Sequence, residues 1–367
     1  MLQLDIDCEG PITQNDNAFE LCREFIPDGD RFFSIVSKYD DFLADVEKRP
    51  GYKAGDTLKL VLPFIKAFGV TDKIMEKFSR ETIQMLPGTE LMLPEVNAMM
   101  PSFIISTSYR PYIDALCTAL GFPAENCFCT NVNLDQYSLP KKERNYLIRT
   151  AAEIAGMEMI EWPDNATGLD DVQPAHRKTI ERLNTIFWHD IPGMEIGRIF
   201  QDVNPVGGAE KAIALQKSLE RTGLDLKDVI YAGDSITDVQ ALELVDSGRG
   251  VAISFNGNRY AVNAARWAVL STNTAVIAGL CKLMLEKGTG IMDQIPVDRD
   301  GELDTGIMLS EMESAGVHAK ILEAIADITG KGKFQVFKVS ECPRDKVIAM
   351  SEKVRKSVRG HGIGELG

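Results

Sequence analysis

The sequence predicts a three-layered α/β fold with a mainly parallel sheet and a helical module inserted after the first strand, and three observations carry that reading. Short apolar runs end in a polar or acidic residue at a turn: Leu2-Gln-Leu-Asp-Ile-Asp7 enters Cys8-Glu9-Gly10-Pro11, Asp228-Val-Ile-Tyr-Ala-Gly-Asp234 enters Ser235, and Val251-Ala-Ile-Ser-Phe255 enters Asn256-Gly-Asn258. Stretches with apolar residues at three-and-four spacing separate these runs, the alternation that builds parallel sheets covered on both faces. Between the first run and the next, residues 15–85 carry only the helical period.

Each element follows from its own pattern. The first strand ends at Asp7 because Gly10 and Pro11 break regular structure. Phe19, Cys22 and Phe25, then Leu58, Val61, Leu62 and Ile65, then Ile74, Met75 and Phe78 sit at helical spacing, and Pro87-Gly88 closes the module. A helix over 91–99 precedes Ser102-Phe-Ile-Ile-Ser-Thr107, a buried-type strand ending in hydroxyls. Ile113, Leu116, Cys117 and Leu120 form one apolar helix face, with Gly121 as its C-terminal cap. Residues 126–134 read as another strand. From 139 to about 200 the chain is polar, mixed and punctuated by Pro163, Gly168, Pro174 and Pro192, which marks an insertion. A helix over 211–221 leads to the strand ending at Asp234. The resulting division is a core of 1–14, 87–138 and 201–285, a helical module of 15–86, an insertion of 139–200 with no assigned role, and an extension of 286–367. That extension holds strand-like Phe334-Gln-Val-Phe-Lys-Val339 and no motif with nameable chemistry.

The bulk properties exclude several classes. The 367 residues, 44% hydrophobic and 26% charged, have room for two or three compact units. No apolar run approaches the roughly 18 residues of a membrane span, and no basic start with an apolar stretch precedes Asp5, so the cytoplasm is the expected location. A formal charge of −14 disfavours a nucleic-acid binder, whose affinity comes from Lys and Arg neutralising phosphates. An anionic ligand must meet local positive charge instead. Seven cysteines, an odd count scattered over a long chain, read as reduced thiols. Cys127-Phe-Cys129 has no second Cys/His pair and reads as one face of a strand, not a zinc site.

Four segments stand out for their chemistry. Alone, each has an ordinary reading: a carboxylate at a strand end is commonly a turn former, a Ser-Thr pair a helix cap, a helical lysine a solvated residue and Gly-Asp a turn. Together and in this order, Asp7-Cys8-Glu9-Gly10, Ile104-Ile-Ser106-Thr107-Ser108, Gly207-Gly208-Ala-Glu-Lys211 and Ala232-Gly233-Asp234-Ser-Ile-Thr-Asp238 resemble the four motifs of the haloacid dehalogenase (HAD) superfamily. Asp5-Ile6-Asp7 offers a rival register for the first motif, but it lacks the glycine after the second acid and shortens the strand ahead. Asp7 and Glu9 are therefore the chosen pair.

The resemblance implies a Rossmann-like core in which Asp7 attacks phosphorus and forms an aspartyl-phosphate, with Glu9 as acid and base. It implies that Ser106, Thr107 and Lys211 hold the phosphoryl oxygens. It further implies a Mg2+ ion on Asp7, the backbone carbonyl of Glu9, Asp234 and Asp238, the last holding a metal-bound water or orienting Lys211. Residues 15–86 resemble the helical cap of phosphoserine-phosphatase-like members, and the opening Asp-Cys-Glu-Gly-Pro is similar to that of poorly characterised archaeal HAD proteins. The implied activity is a magnesium-dependent phosphomonoester hydrolase acting on a small phosphorylated metabolite. Two positions depart from the pattern. Glu9 stands where the second acid is usually Asp, one methylene longer, where a misplacement of roughly 1 Å costs on the order of 10²-fold, and Thr237 stands where many relatives have Asn.

Physical chemistry supports the same assignment. Phosphoryl transfer needs a positioned nucleophile and positive charge around the transferring oxygens. An aspartate nucleophile splits one hard displacement into two, and a positioned acid contributes about 10²–10⁴-fold. Several clustered carboxylates call for a cation, and oxygen ligands suit magnesium. Asn256, Asn258 and Thr237 stay open between helix capping and contacts to the metal ligands. Arg23, Arg31, Lys53 and Lys59 are the cations of the 15–86 module available to an anionic group on the substrate. Two alternative functions remain: a phosphotransferase using an alcohol acceptor, and a binding or regulatory protein that docks on a larger assembly through 139–200 and 286–367. The acids of Asp298-Arg-Asp300-Gly301-Glu302 read as a solvated loop, since Gly301 comes too early for a calcium-binding EF-hand.

Overall fold

A computed structural model describes residues 1–163 and 165–364, so the last three residues of the 286–367 extension lie outside the described residues. Seven strands alternate with helices: β1 (Gln3–Ile6), β2 (Ser102–Tyr109), β3 (Cys127–Thr130), β4 (Val229–Gly233), β5 (Val251–Phe255), β6 (Trp267–Ser271) and β7 (Phe334–Lys338). They form one sheet in the order β3-β2-β1-β4-β5-β6-β7. Strands β1 to β6 pair in parallel, and β7 joins the edge antiparallel to β6. The expected α/β architecture, a mainly parallel sheet with helices inserted after the first strand, is the one observed.

Every residue of β1, β4, β5 and β6 is buried, as required of strands covered on both faces. Their side chains alternate between two apolar layers. Leu4, Ile6, Ile230, Ala232 and Ile253 pack with Val96, Leu116 and Leu280 on one face. Val229, Tyr231 and Ala252 pack with Leu215, Leu242 and Val245 on the other. Because β1 lies between β2 and β4, the chain crosses over in opposite senses from it, and such a switch point opens a crevice at the C-terminal strand ends. Asp7 follows β1 directly into that crevice.

Four helices, Asn17–Phe25, Gly29–Asp41, Thr57–Ala67 and Asp72–Thr82, lie between β1 and the Thr89–Met99 helix that leads into β2. Asp16 caps the first through the Phe19 amide at 2.9 Å, and Thr71 caps the last through the Ile74 amide at 3.3 Å. The 139–200 segment acquires a packing role here. Phe187 stacks on Tyr39 with ring centroids 5.8 Å apart and meets Phe64 at 6.1 Å, while Trp162 meets Phe42 at 5.7 Å. Arg31 ties the two segments further, its Nε donating to the Ala155 carbonyl at 2.6 Å. Buried residues of both segments thus belong to one hydrophobic core.

The C-terminal extension is also built into the fold. Met308, Met312, Ile321 and Ile325 pack in the same layer as the Ala275–Lys287 helix. The Arg344–Arg359 helix covers the other face of β6, where Val347 packs with Val262, Ala268 and Leu270. Val347, Ser351, Arg355 and Arg359 recur every fourth residue and share one helix face. That face turns toward the crevice, where Ser351 Oγ donates to the Gly257 carbonyl at 2.6 Å. Among the described residues, no helix is long and apolar enough to cross a membrane.

Candidate active site

Asp7 extends the β1–β4 ladder one step past the strand, its amide donating to the Ala232 carbonyl at 2.9 Å. Its Oδ1 accepts the Cys8 amide at 2.7 Å and its Oδ2 accepts Lys211 Nζ at 2.6 Å. Lys211 stands on the first turn of the Ala209–Thr222 helix, wholly buried, and also reaches Asp238 Oδ1 at 2.7 Å. The Tyr231 hydroxyl, from β4, donates to the same oxygen at 2.7 Å, while Asp238 Oδ2 accepts the Asp234 and Ser235 amides at 3.0 Å each. The third and fourth motifs are thereby tied to the first. Asp5, the rival nucleophile, sits below the crevice, bonded to Gln3 Nε2 at 3.0 Å and Ser218 Oγ at 2.9 Å, and burial pushes its carboxyl up to about 7.

The glycines of the motifs are steric requirements. Gly10 has φ +105°, and a Cβ there would lie 2.1 Å from Asp234 Oδ2. A Cβ on Gly233 would meet the Asp238 carboxylate at 2.4 Å. The first and fourth loops approach this closely only because both positions lack a side chain.

The electrostatics follow from burial. Burial pushes the Asp7 carboxyl up to about 8, Lys211 opposing and Asp238 and Asp234 adding to the effect. For Asp238 burial acts in the same sense, but the Lys211 charge and hydrogen bonds outweigh it and hold the carboxyl below its usual range. Lys211 is raised in turn: burial works against its charge, and Asp238 and Asp7 together prevail. Lys211 and Asp238 are therefore a charged pair. Burial, reinforced by Asp16 and opposed by Arg359, carries the Glu9 carboxyl well above its usual range.

Asp7, Asp234 and Asp238 each bring a carboxylate oxygen within 4.8 Å of the others. A cluster of buried carboxylate oxygens without thiol or imidazole is the donor set of a hard divalent cation such as Mg2+. Asp234 Oδ1 accepts no hydrogen bond among the described residues, whereas Oδ2 accepts Arg355 Nη1 and, at 3.0 Å, Arg359 Nη1. The trio fits such an ion. The Glu9 carboxylate stands outside it, accepting the Asn17 amide at 3.0 Å.

Asp7, Glu9, Asp234, Arg355 and Arg359 line a partly open cavity of about 80 Å³ between the strand ends and the 15–86 helices. At roughly 10–15 Å³ per water-sized site, it has room for a handful of non-hydrogen atoms, the size of a phosphoryl group. Asp7, Glu9, Thr107, Asp234 and Thr237 form its floor. Ser37, Asp40, Asp41 and Thr57 face them from the helical side. Of the hydroxyl pair, Thr107 lines the cavity and donates to the Val206 carbonyl at 3.1 Å, while Ser106 is fully buried with Oγ accepting the Ser108 amide at 3.1 Å. Asn256 braces β6, bonding both the amide and carbonyl of Ser271, and Asn258 caps the Arg259–Ala264 helix.

None of the four module cations lines the cavity. Arg23 is exposed beside Glu20, Arg31 binds backbone carbonyls of 139–200, and Lys53 and Lys59 both pair with Asp56. Local partners three residues away capture three of the four, a pattern visible in the sequence. The residues that sequence reasoning did not find are Tyr231, Asp16, Asp40, Asp41, Arg355 and Arg359. Tyr231 reads as an ordinary strand residue, and the two arginines come from the extension that carried no recognisable motif.

Fold and site together define an α/β protein with an acid after the first strand, a buried lysine and a second acidic loop under an inserted helical module, the arrangement expected from the resemblance to the HAD motifs. The model of the haloacid dehalogenase-like hydrolase family matches residues 140–280 of the chain. The AF1437 gene product of Archaeoglobus fulgidus is similar in structure over 100% of this chain and 99% of its own, at 25% identity and a TM-score of 0.77. Phosphoserine phosphatase in its apo form aligns over 72% of this chain and 90% of its own, at 12% identity and a TM-score of 0.39. A HAD family hydrolase, t0658, from Salmonella enterica serovar Typhi aligns over 70% of this chain and 63% of its own, at 14% identity and a TM-score of 0.39. No curated protein matches the chain by sequence.

Proposed function

We propose that the protein is a magnesium-dependent phosphomonoester hydrolase that works through an aspartyl-phosphate on Asp7 and acts on a small phosphorylated metabolite. The observation that carries this reading is the buried chain Asp7–Lys211–Asp238, with Asp234 within metal-sharing distance of both aspartates.

Asp7 attacks phosphorus in line, forming the Asp7 O–P bond as the bond to the leaving oxygen breaks. Glu9, at the cavity wall, gives its proton to that leaving oxygen and then takes one from the water that cleaves the acyl phosphate. Lys211 holds Asp7 in place and supplies positive charge toward the phosphoryl oxygens, with Thr107 offering its hydroxyl from the floor. Asp238 and Tyr231 fix Lys211. Mg2+ held by Asp7 and Asp234, with Asp238 beside them, would neutralise charge on the transferring group. Ser106 supports the Thr107 turn in this scheme.

The small cavity supports a compact substrate, and the cations that line it, Arg355 and Arg359, come from the Arg344–Arg359 helix and not from the 15–86 module. The reading extends to a cytoplasmic protein with no nucleic-acid or membrane partner, supported by seven free cysteines and the acidic net charge. Phosphate release from a panel of small phosphomonoesters, with and without Mg2+, tests it. Release is expected for at least one ester, dependent on Mg2+ and reduced by about 10³-fold or more in Asp7→Asn. A panel without release, or an Asp7→Asn variant as active as wild type, contradicts it.

A further inference from the structure

We propose that Arg355 and Arg359 are positioning residues of the acidic site: they hold Asp234 by Oδ2 and present Oδ1 to the divalent cation, which makes the Arg344–Arg359 helix part of the site. This inference rests on the metal-dependent reading above.

Both arginines belong to the helix face that begins at Val347 and Ser351, whose contacts to the sheet and to Gly257 fix its direction. Arg355 is 2% exposed; its Nη1 donates to Asp234 Oδ2 and, at 3.1 Å, to the Asp234 carbonyl. Arg359 Nη1 donates to the same Oδ2 at 3.0 Å, and its Nε is anchored on the Gln14 carbonyl at 3.0 Å, in the loop that follows Gly10. Two guanidinium groups thus converge on one oxygen, the one that also lies against Gly10. The Asp234 backbone is fixed as well, its amide on Asp238 Oδ2 and its carbonyl on the Asn258 amide at 3.0 Å. What remains is Oδ1, which accepts no hydrogen bond among the described residues, on the residue that shares the trio with Asp7 and Asp238.

A purely electrostatic role has the opposite consequence. Two cations near a divalent-ion site repel the ion, so deleting one would tighten metal binding if charge were all that mattered. If orientation matters more, deletion weakens binding. Lysine separates the two effects, because it keeps the charge and loses the planar, multi-donor fork.

The experiment measures Mn2+ affinity of the full-length protein by calorimetry and by electron paramagnetic resonance of free Mn2+, for wild type, Arg355→Lys, Arg359→Lys and Arg359→Met. Melting temperatures are recorded alongside. Arg359 lies in the last helical turn, so its variants keep the test decisive even if Arg355→Lys does not fold. Each substitution is expected to weaken Mn2+ binding by about 10- to 100-fold, as loss of a partner that orients a metal ligand does elsewhere. Lysine variants with wild-type affinity, or an Arg359→Met variant that binds more tightly, would overturn the proposal and leave the metal site standing. Wild-type protein that binds no Mn2+ overturns both.

Discussion

Lys211 Nζ lies 2.6 Å from Asp7 Oδ2, joining residues 204 positions apart in the chain inside a fully buried environment. One cation between two carboxylates, Asp7 and Asp238, is stable only while all three are present. Lys211→Met leaves both acids uncompensated in the interior, and breaking a buried pair from one side costs about 3–5 kcal/mol. Urea unfolding is expected to show a loss of that order, and phosphate release to fall with it. Unchanged stability would mean that Lys211 and Asp238 are not the charged pair described.

Gly10→Ala tests the contact between the first and fourth loops. The added methyl has no space beside Asp234 and demands a left-handed backbone, a strain of about 1–3 kcal/mol. Loss of metal-dependent activity is expected to exceed what the small loss of stability explains. A fully active alanine variant would show that the loops separate freely.

Asp40, on the helical side of the cavity, sets a pH dependence. Its carboxyl accepts the Tyr52 hydroxyl at 2.5 Å and the Gly55 amide at 2.8 Å, and burial pushes it up to about 8. A carboxyl raised from 3.8 to about 8 on folding binds more protons in the native state. Its stability contribution is therefore full below the unfolded value and is lost as pH rises through the folded one. Wild type is expected to be less stable at pH 8 than at pH 5, with a contribution from Asp40 on the order of a few kcal/mol. Asp40→Asn keeps both partners by turning its amide toward Tyr52, and thermal melts from pH 5 to pH 8 should be flatter for it. Parallel curves for the two proteins would refute the assignment.

Phe187→Ala probes the shared core of 15–86 and 139–200. The ring is fully buried against Tyr39 and Phe64, and its removal is expected to cost about 3–5 kcal/mol in urea unfolding. Protease should then cut in both segments, because neither retains its partner. Cleavage confined to 139–200 would show that the 15–86 helices pack without it.

Much of this site is readable in the sequence because its parts are local. A strand, a turn and an acid occupy a few consecutive residues at Asp7 and again at Asp234, and the choice of Asp7 over Asp5 rested on Gly10, whose close approach to Asp234 gives that choice a physical reason. What could not be read depends on distant segments meeting. Phe187, Trp162 and Tyr39 lie in three separate helical or loop stretches, and nothing in a polar, proline-broken segment signals that it completes another segment's core. Arg355 and Arg359 sit among Lys353, Lys356 and Ser357, a composition that reads as a solvated helix. Only the return of the chain across β6 directs one face of that helix at Asp234.

The central claim is that Asp7 becomes phosphorylated, and trapping that species tests it most directly. Protein mixed with Mg2+ and an accepted phosphomonoester is quenched in acid, digested and analysed by mass spectrometry. A hydroxylamine-sensitive phosphate is expected on the peptide containing Asp7, and none in Asp7→Asn. Phosphate released with no modified Asp7 peptide at any quench time, or a phosphate carried on another residue, would contradict the account.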